Sequence, residues 1–575
     1  MNNPQGVDVV WEFLEPDEGA MGRLVRQLDI SDTLARVLIN RGLIDPVKAR
    51  SFLKPTLKDL ESPDKLPDME FAIERLHHAL KQDELIAIYG DYDVDGITST
   101  ALLANFLRGL GANFITYTPD RFTEGYGLHA NAIEELRAQG ARLLVAVDLG
   151  VGDVEAIKRA REVGIDVVVV DHHQAPDELP EAVAVVDPFR PGGSEFYRGL
   201  SAAGLTFYLI VAFRARLRDS GGFSEKKEPN LRSDLDLVAL GAIADLAPLS
   251  GPNRIFAHFG LMELGAERRP GVAALKRVAG MGRREVTAGQ VAFQLAPRIN
   301  AAGRISKAEK AVRLFITPDP KEAMTIAQDL NTLNQKRQEI ESRILKDALD
   351  TIEMEGLHRG SAVVVGGRDW HPGVIGIVAS KISEMYGLPS VVVSLDGDKS
   401  RGSARSVPGL HLYRAMRDCS TLLIGFGGHE MAAGIALHEE NLDAFKRRFE
   451  EVVEAAKPPL RREILKIDAE LEMEDLDGAL AETLTSLHPH GMGNPEPVFF
   501  TGSVRPCDPR IVGKNHLKFR INAAEGPLEA IAFGKGDLLD LVRKEPVDIA
   551  YTPRFSTWDG WRRLEIKVRG IRPAG

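Results

Sequence analysis

Three short runs of mainly branched and aliphatic residues in the first third of the chain each end in acid or histidine. Leu85-Ile86-Ala87-Ile88-Tyr89 runs into Gly90-Asp91-Tyr92-Asp93-Val94-Asp95-Gly96, Leu143-Leu144-Val145-Ala146-Val147 into Asp148, and Val167-Val168-Val169-Val170 into Asp171-His172-His173. Continuous apolar runs of this length predict parallel strands buried on both faces. Strand-like and helix-like stretches alternate from Asp83 to about Pro318, the pattern of a layered α/β domain. Lys321 to Glu355 contains no proline and sets Leu330, Leu333, Ile340, Ile344, Leu345 and Leu349 among charged residues. That spacing predicts one long amphipathic helix over 319–356, bridging two domains.

The flanks differ. Residues 1–80 read as a small helical region, with Leu34, Val37, Leu38 and Leu43 at helical spacing. A second strand-rich α/β unit is expected over 357–458. From 459 to 575, short alternating segments around Phe499, His516–Arg520, Leu528–Phe533, Asp548–Tyr551 and Leu564–Val568 predict a small β-barrel of the OB type. The expected architecture is α/β: a parallel-sheet domain over 81–318, a connecting helix, a second α/β domain, a C-terminal barrel and a helical N-terminal region.

Composition narrows the classes. A chain of 575 residues exceeds one core, so several domains are expected. Its net charge is −11, yet residues 505–575 hold 14 lysines and arginines against 9 acids. A local basic patch, rather than net charge, is what nucleic acid meets. Cys419 and Cys507 are the only cysteines, which argues against a disulfide framework and for a reducing compartment. The N-terminus lacks a signal-peptide pattern and no run is long enough to span a bilayer, so a cytoplasmic location without membrane contact is expected.

Parallel sheets gather ligands at the carboxyl ends of their strands. Three strand tips would therefore bring Asp91, Asp93, Asp95, Asp148, Asp171, His172 and His173 to one rim. Carboxylates crowded together raise one another's pKa unless a cation intervenes, so two divalent ions are expected. Oxygen donors suit Mg²⁺ or Mn²⁺, and imidazole tilts the choice to Mn²⁺. Asp245, in an otherwise apolar stretch, is the further candidate ligand. A single aspartate after a strand is commonly a helix cap, and Asp91 could cap a helix starting near Thr98. His173 could act on substrate or behind the ligands. Paired ions would activate water and hold a phosphate, and no Ser–His or Cys–His pair accompanies them. The expected catalytic set is Asp93, Asp95, Asp148, His172, His173 and Asp245, with Asp91 added among the metal ligands.

These residues resemble the DHH phosphoesterase superfamily, whose triplet stands here as Asp171-His172-His173. Tyr89–Gly96, Asp120–Leu128, Pro297–Arg304 and Gly491–Phe499 are similar to motifs of its RecJ-type branch, and Gly427–Gly434 to the companion DHHA1 signature. The common first motif, His-x-x-x-Asp-x-Asp, has Tyr89 in place of the histidine, a departure that RecJ-type members share. The resemblance implies a single-stranded-DNA exonuclease working 5′→3′ and releasing 5′-mononucleotides in DNA repair or recombination. It also implies single-strand-binding protein and a helicase as partners; a self-contained cleft between the two α/β domains favours a monomer.

Several residues are candidates for holding the strand. Gly427, Gly428 and His429 suit an anion, glycines admitting phosphate close to backbone N–H groups. His371 lies in a loop entering a helix, and Ser403 and Arg405 offer further phosphate contacts. Arg298, Asn300 and Arg304 belong to a motif read as a small-residue turn. Arg121 and Tyr126 could touch the strand near the cut. In the tail, Lys514, His516, Lys518 and Arg520 would form a basic strand face, with Phe555, Trp558 and Trp561 as stacking platforms or barrel core. The rivals are a phosphodiesterase of short or cyclic oligonucleotides, a non-catalytic DNA-binding replication scaffold of the same fold, and, further off, a pyrophosphatase.

Overall fold

The structure is a computed structural model that describes residues 9–223, 227–282, 285–458, 463–558 except 524–525, and 561–575, without the side chains of 463, 557–558 and 561–562. Trp558 and Trp561, expected as stacking platforms or barrel core, lie outside the described side chains. The chain divides into two compact units, one of Trp11–Asn300, Lys307–Gln328 and Leu465–Gly575, the other of Met1–Val10, Ala301–Ser306 and Asp329–Ile464. Among the described residues no helix is long and apolar enough to cross a membrane.

The larger unit contains a five-stranded sheet in the spatial order Phe114–Tyr117, Leu85–Gly90, Ala141–Val147, Asp166–Val170, Ala184–Val186. Every neighbouring pair is parallel. The three apolar runs are thus the three central strands, and their buried valines and isoleucines pack on both faces. Strand order reverses between Leu85–Gly90 and Ala141–Val147, and crevices in open α/β sheets form at such a switch point. The helix Val94–Leu110 follows the first of these strands directly, is buried along most of its length and packs on Ala202–Asp219 and Leu235–Ala244.

The same unit holds a seven-stranded sheet made by the C-terminal region. Its strands include Phe499–Val504, His516–Ala523 and Gly526–Ala532, plus the long pair Val547–Trp558 and Trp561–Pro573. The N-terminal helices Glu18–Leu28, Asp32–Asn40 and Pro46–Leu53 start on Asp17, Ser31 and Asp45, each accepting from the first-turn backbone. Among the described residues they form no core of their own. Leu24, Leu34, Leu38 and Phe52 share one apolar cluster with Phe499, Phe519, Ile549 and Tyr551 of the barrel. The extreme N-terminal part differs from the expected helical region, because Val9–Phe13 is a strand. Arg254 joins these parts: only 2 % exposed, it donates to the carbonyls of Phe52, Ser486, Leu487 and His488 and stacks 3.6 Å over the Phe52 ring. A buried guanidinium satisfied by carbonyls alone is costly to disturb, since loss of its partners strands a charge.

In the smaller unit a five-stranded mixed sheet runs Gly425–Gly428, Ala432–Leu437, Ser400–Arg405, Ser390–Leu395, Val363–Arg368. The expected long helix is present as Pro320–Glu355, and Ile344, Ala348 and Ile352 bury its apolar stripe against Val363, Val378 and Val392.

Candidate metal centre

The acid-rich turn after Leu85–Gly90 is shaped by crowding. A Cβ on Gly96 would lie 2.6 Å from the Asp91 backbone nitrogen, so only glycine closes the turn. Asp93, rather than Asp91, caps the helix that starts at Val94, accepting from the N–H groups of Asp95 and Gly96. Asp91 is left free of that duty. It is 5 % exposed, and its Oδ1 has no hydrogen-bond partner. Asp95 points inward and accepts from the N–H groups of Ala202 at 2.6 Å and Ala203 at 3.1 Å, the first turn of Ala202–Asp219. Asp148 follows the neighbouring strand in a left-handed conformation, φ 66°, a strained backbone of the kind held at functional sites.

His172 is the hub. Its Nε2 lies 3.2 Å from Asp148 Oδ1 and 3.9 Å from Asp95 Oδ2, and its Nδ1 lies 3.9 Å from Asp245 Oδ2. Three groups have donor atoms within 4.8 Å of one another: Asp148, His172 and His173; Asp95, His172 and Asp245; Asp91, Asp93 and Asp148. All seven expected metal and catalytic residues therefore converge. Asp245 ends the helix Leu235–Ala244 and is more open than expected, with its side chain 30 % exposed.

The electrostatics ask for cations. Burial, then neighbouring carboxylates, holds Asp91, Asp95 and Asp148 well above the ordinary range, and Asp245 is pushed up to about 7 by burial and Asp93. Burial and the adjacent His173 push His172 down to about 4, leaving a neutral imidazole fit to bind metal. His173 behaves oppositely. Burial disfavours its charge, but the hydrogen bond and charge of Asp171 outweigh that and raise it to about 9. An orphaned buried oxygen, mutually repelling carboxylates and a neutral imidazole together fit divalent cations with oxygen-rich coordination, Mn²⁺ or Mg²⁺.

Two supporting roles come from the structure. Asp171, expected at the rim but outside the ligand and catalytic sets, is a brace for the two histidines after it. It is 1 % exposed and accepts from the N–H groups of Val151, His172 and His173 while pairing with the His173 ring. Gly241 packs under Asp95: an added Cβ would strike the carboxylate and come within 2.6 Å of Thr98 Oγ1. Its signal was a glycine inside an apolar helix, where tight packing is the usual reason.

The strand-contact candidates fall in different places. Tyr126 borders the metal centre, its hydroxyl donating to the Asp148 carbonyl at 3.3 Å and lying 3.2 Å from His173 Nδ1. The Arg121 guanidinium lies over Tyr92, within the acidic turn. Arg298, Asn300 and Arg304 lie on a helix, Ala296–Ile305, and not on the expected turn. Alanine-rich segments favour helix, which outweighs the reading of small residues as a turn. Arg298 donates to the Gln294 carbonyl and Arg304 to that of Gly373.

In the smaller unit His371 does precede a helix, Ile375–Tyr386, and accepts from the Gly373 N–H. Arg405 bonds Ser403 and Ser380, and both Ser403 and Arg405 crowd Gly376 in that helix's first turn. Gly427 and Gly428 end an edge strand, and His429 is exposed in the hairpin beyond it. Gly428 has φ 141°, and a side chain there would meet Ala433 Cα at 2.6 Å.

In the barrel, Lys518 and Arg520 do alternate with buried Leu517, Phe519 and Ile521, but Glu529 and Asp508 pair with them. Lys514 is exposed and His516 accepts from the Gly534 N–H. Phe555 is half-buried. The expected basic face is therefore partly neutralised by its neighbours.

Comparison with known proteins defines the class first. Residues 85–242 match the DHH family N-terminal domain, 359–455 the DHHA1 domain and 467–570 the RecJ OB domain. The chain is 36 % identical to the single-stranded-DNA-specific exonuclease RecJ of Escherichia coli (strain K12), over 95 % of this chain and 96 % of that protein. It is 34 % identical to the Bacillus subtilis (strain 168) protein of the same name, over 97 % of this chain and 70 % of that one. The crystal structure of RecJ in complex with Mn²⁺ from Thermus thermophilus superposes with a TM-score of 0.84 at 31 % identity, covering 99 % of this chain and 80 % of that one. A Mg²⁺ complex from the same organism gives 0.76 at 30 % identity, covering 99 % and 79 %. The chain belongs to the RecJ family.

Proposed function

We propose that this protein is a metal-dependent exonuclease specific for single-stranded DNA, acting 5′→3′ and releasing 5′-mononucleotides in DNA repair. The observation that carries the reading is the convergence of Asp91, Asp93, Asp95, Asp148, His172 and Asp245 at the sheet's switch point, in a chain of the RecJ family. Those six residues would hold two divalent cations, which supply Lewis acidity toward the phosphodiester when bound. Around them, Asp171 holds the His173 ring, and Tyr126 ties that ring to the Asp148 backbone. His173 is thereby presented as a donor toward an anionic phosphate. Ser403 and Arg405, on the strand Ser400–Arg405 beside the first turn of the Ile375–Tyr386 helix, would bind phosphate, as would the N–H groups around Gly427 and Gly428 and the His429 ring. Arg121, Arg298, Asn300 and Arg304 would follow the backbone of the strand, and Lys514 and Lys518 would attract it to the barrel through salt-sensitive contacts.

The two free cysteines fit a cytoplasmic protein, and a monomer working with single-strand-binding protein and a helicase completes the reading. The test is product analysis on single-stranded DNA labelled at either end, with Mn²⁺, Mg²⁺ or chelator. Expected are mononucleotides lost from the 5′ end only, in either metal and not with chelator. Duplex cut equally fast, or products independent of metal, would overturn the proposal.

A further inference from the structure

Phe293 is the most exposed large apolar side chain among the described residues, at 84 %. An aromatic ring left in water forgoes the burial that stabilises a fold, so its presentation calls for a reason. The local backbone is built to present it. Val291–Leu295 is a single π-helical turn, and such turns recur at functional sites. Val291 and Leu295 are 0 % and 1 % exposed, which anchors the turn at both ends and leaves Phe293 on its outer side. A reciprocal Thr287–Gln290 cap stiffens the entry, and the Arg298 guanidinium donates to the Gln294 carbonyl at the exit.

The turn shares a packing partner with the candidate metal centre. The turn packs against the Leu235–Ala244 helix, which ends at Asp245. The next residue, Leu246, is held outward by a left-handed backbone, φ 59°, and is 59 % exposed. Two apolar side chains are thus presented beside one helix that delivers a candidate metal ligand, and the following helix carries Arg298 and Asn300. A single strand offers what such a ring can use, because every unpaired base has an open π-face and stacking tolerates any sequence.

We propose that Phe293 is a stacking platform for a base of the single strand. This rests on the functional reading above. The full chain is compared with Phe293→Ala and Phe293→Trp. Substrates are an oligothymidylate and an abasic deoxyribose phosphate strand of equal length, with KM measured in Mn²⁺ and Kd measured by anisotropy in chelator. Expected is a weakening of about 5- to 150-fold for Phe293→Ala on oligothymidylate, the scale of one lost base–aromatic stack. Phe293→Trp retains binding, and the abasic strand does not distinguish the three proteins. Equal losses on both strands, or none on either, overturn the inference while single-strand cleavage by the unaltered chain leaves the functional reading standing. Unchanged DNA binding with loss of a protein partner would make the ring a docking residue and also overturn it. An unaltered chain that cuts no single strand removes the functional reading itself.

Discussion

Asp171 Oδ1 lies 2.7 Å from His173 Nδ1 and also accepts the N–H groups of both histidines that follow it. One buried carboxylate therefore fixes the backbone course of the His-His pair and the charge of its second ring. Asp171→Asn keeps the size and removes the anion. We expect turnover or Mn²⁺ affinity to fall about 10- to 100-fold, the usual effect of losing a partner behind the ligands. The check is kcat across a Mn²⁺ titration, with circular dichroism to show that the fold persists; wild-type values in both would remove the role.

The carboxylate cluster should oppose folding when no cation is bound, since burial and mutual repulsion penalise its charged form. Asp148→Asn is expected to raise the Tm of chelated protein at pH 8 and to abolish most of the further rise that Mn²⁺ gives the unaltered chain. Turnover should fall at least about 100-fold. Thermal melts with chelator and with Mn²⁺ decide it, and an unchanged Mn²⁺-dependent rise would contradict the ligand assignment.

Gly241→Ala adds one methyl group against Asp95 and Thr98. Overpacking of this kind destabilises by about 1–3 kcal/mol, and Asp95 is the group displaced. The expected result is a modest drop in Tm with a disproportionate loss of kcat. A drop in Tm with kcat intact would mean that the helices part without moving the carboxylate.

His490 sits near Arg41 and Arg254, and burial, then the charges of His488 and these arginines, push it down to about 2. Its Nδ1 is buried without a partner. A base whose folded pKa is depressed contributes stability that is complete above its unfolded value, near 6.5, and is lost as pH falls below it, because the unfolded chain takes up the proton first. The slope from this one group is at most about 1.4 kcal/mol per pH unit. Denaturant melts between about pH 7.5 and 5 should show the decline, and His490→Gln should flatten it. An unchanged slope in the variant would place the acid sensitivity elsewhere.

Much of this protein was legible before any fold was known. Valine-rich runs define buried parallel strands because few other environments accept a backbone apolar on both faces. The acids and histidines that end them must then share a rim, which is why the convergence of these side chains could be expected from residue order. The long helix was equally plain from its proline-free apolar stripe. The Arg298–Arg304 helix was legible too, in the alanines that the turn reading passed over. Tertiary structure decided what local pattern leaves open. Acidic neighbours from adjacent strands neutralised part of the expected basic face only in the fold. The N-terminal helices took their partner from the far end of the chain, because an amphipathic stripe specifies that it will be buried and not against what. Asp171 as a brace, Gly241 beneath Asp95 and Phe293 on its π-turn were settled only by packing. Each depends on atoms distant in sequence, and residue order carries periodicity and chemistry but not the distances at which side chains meet.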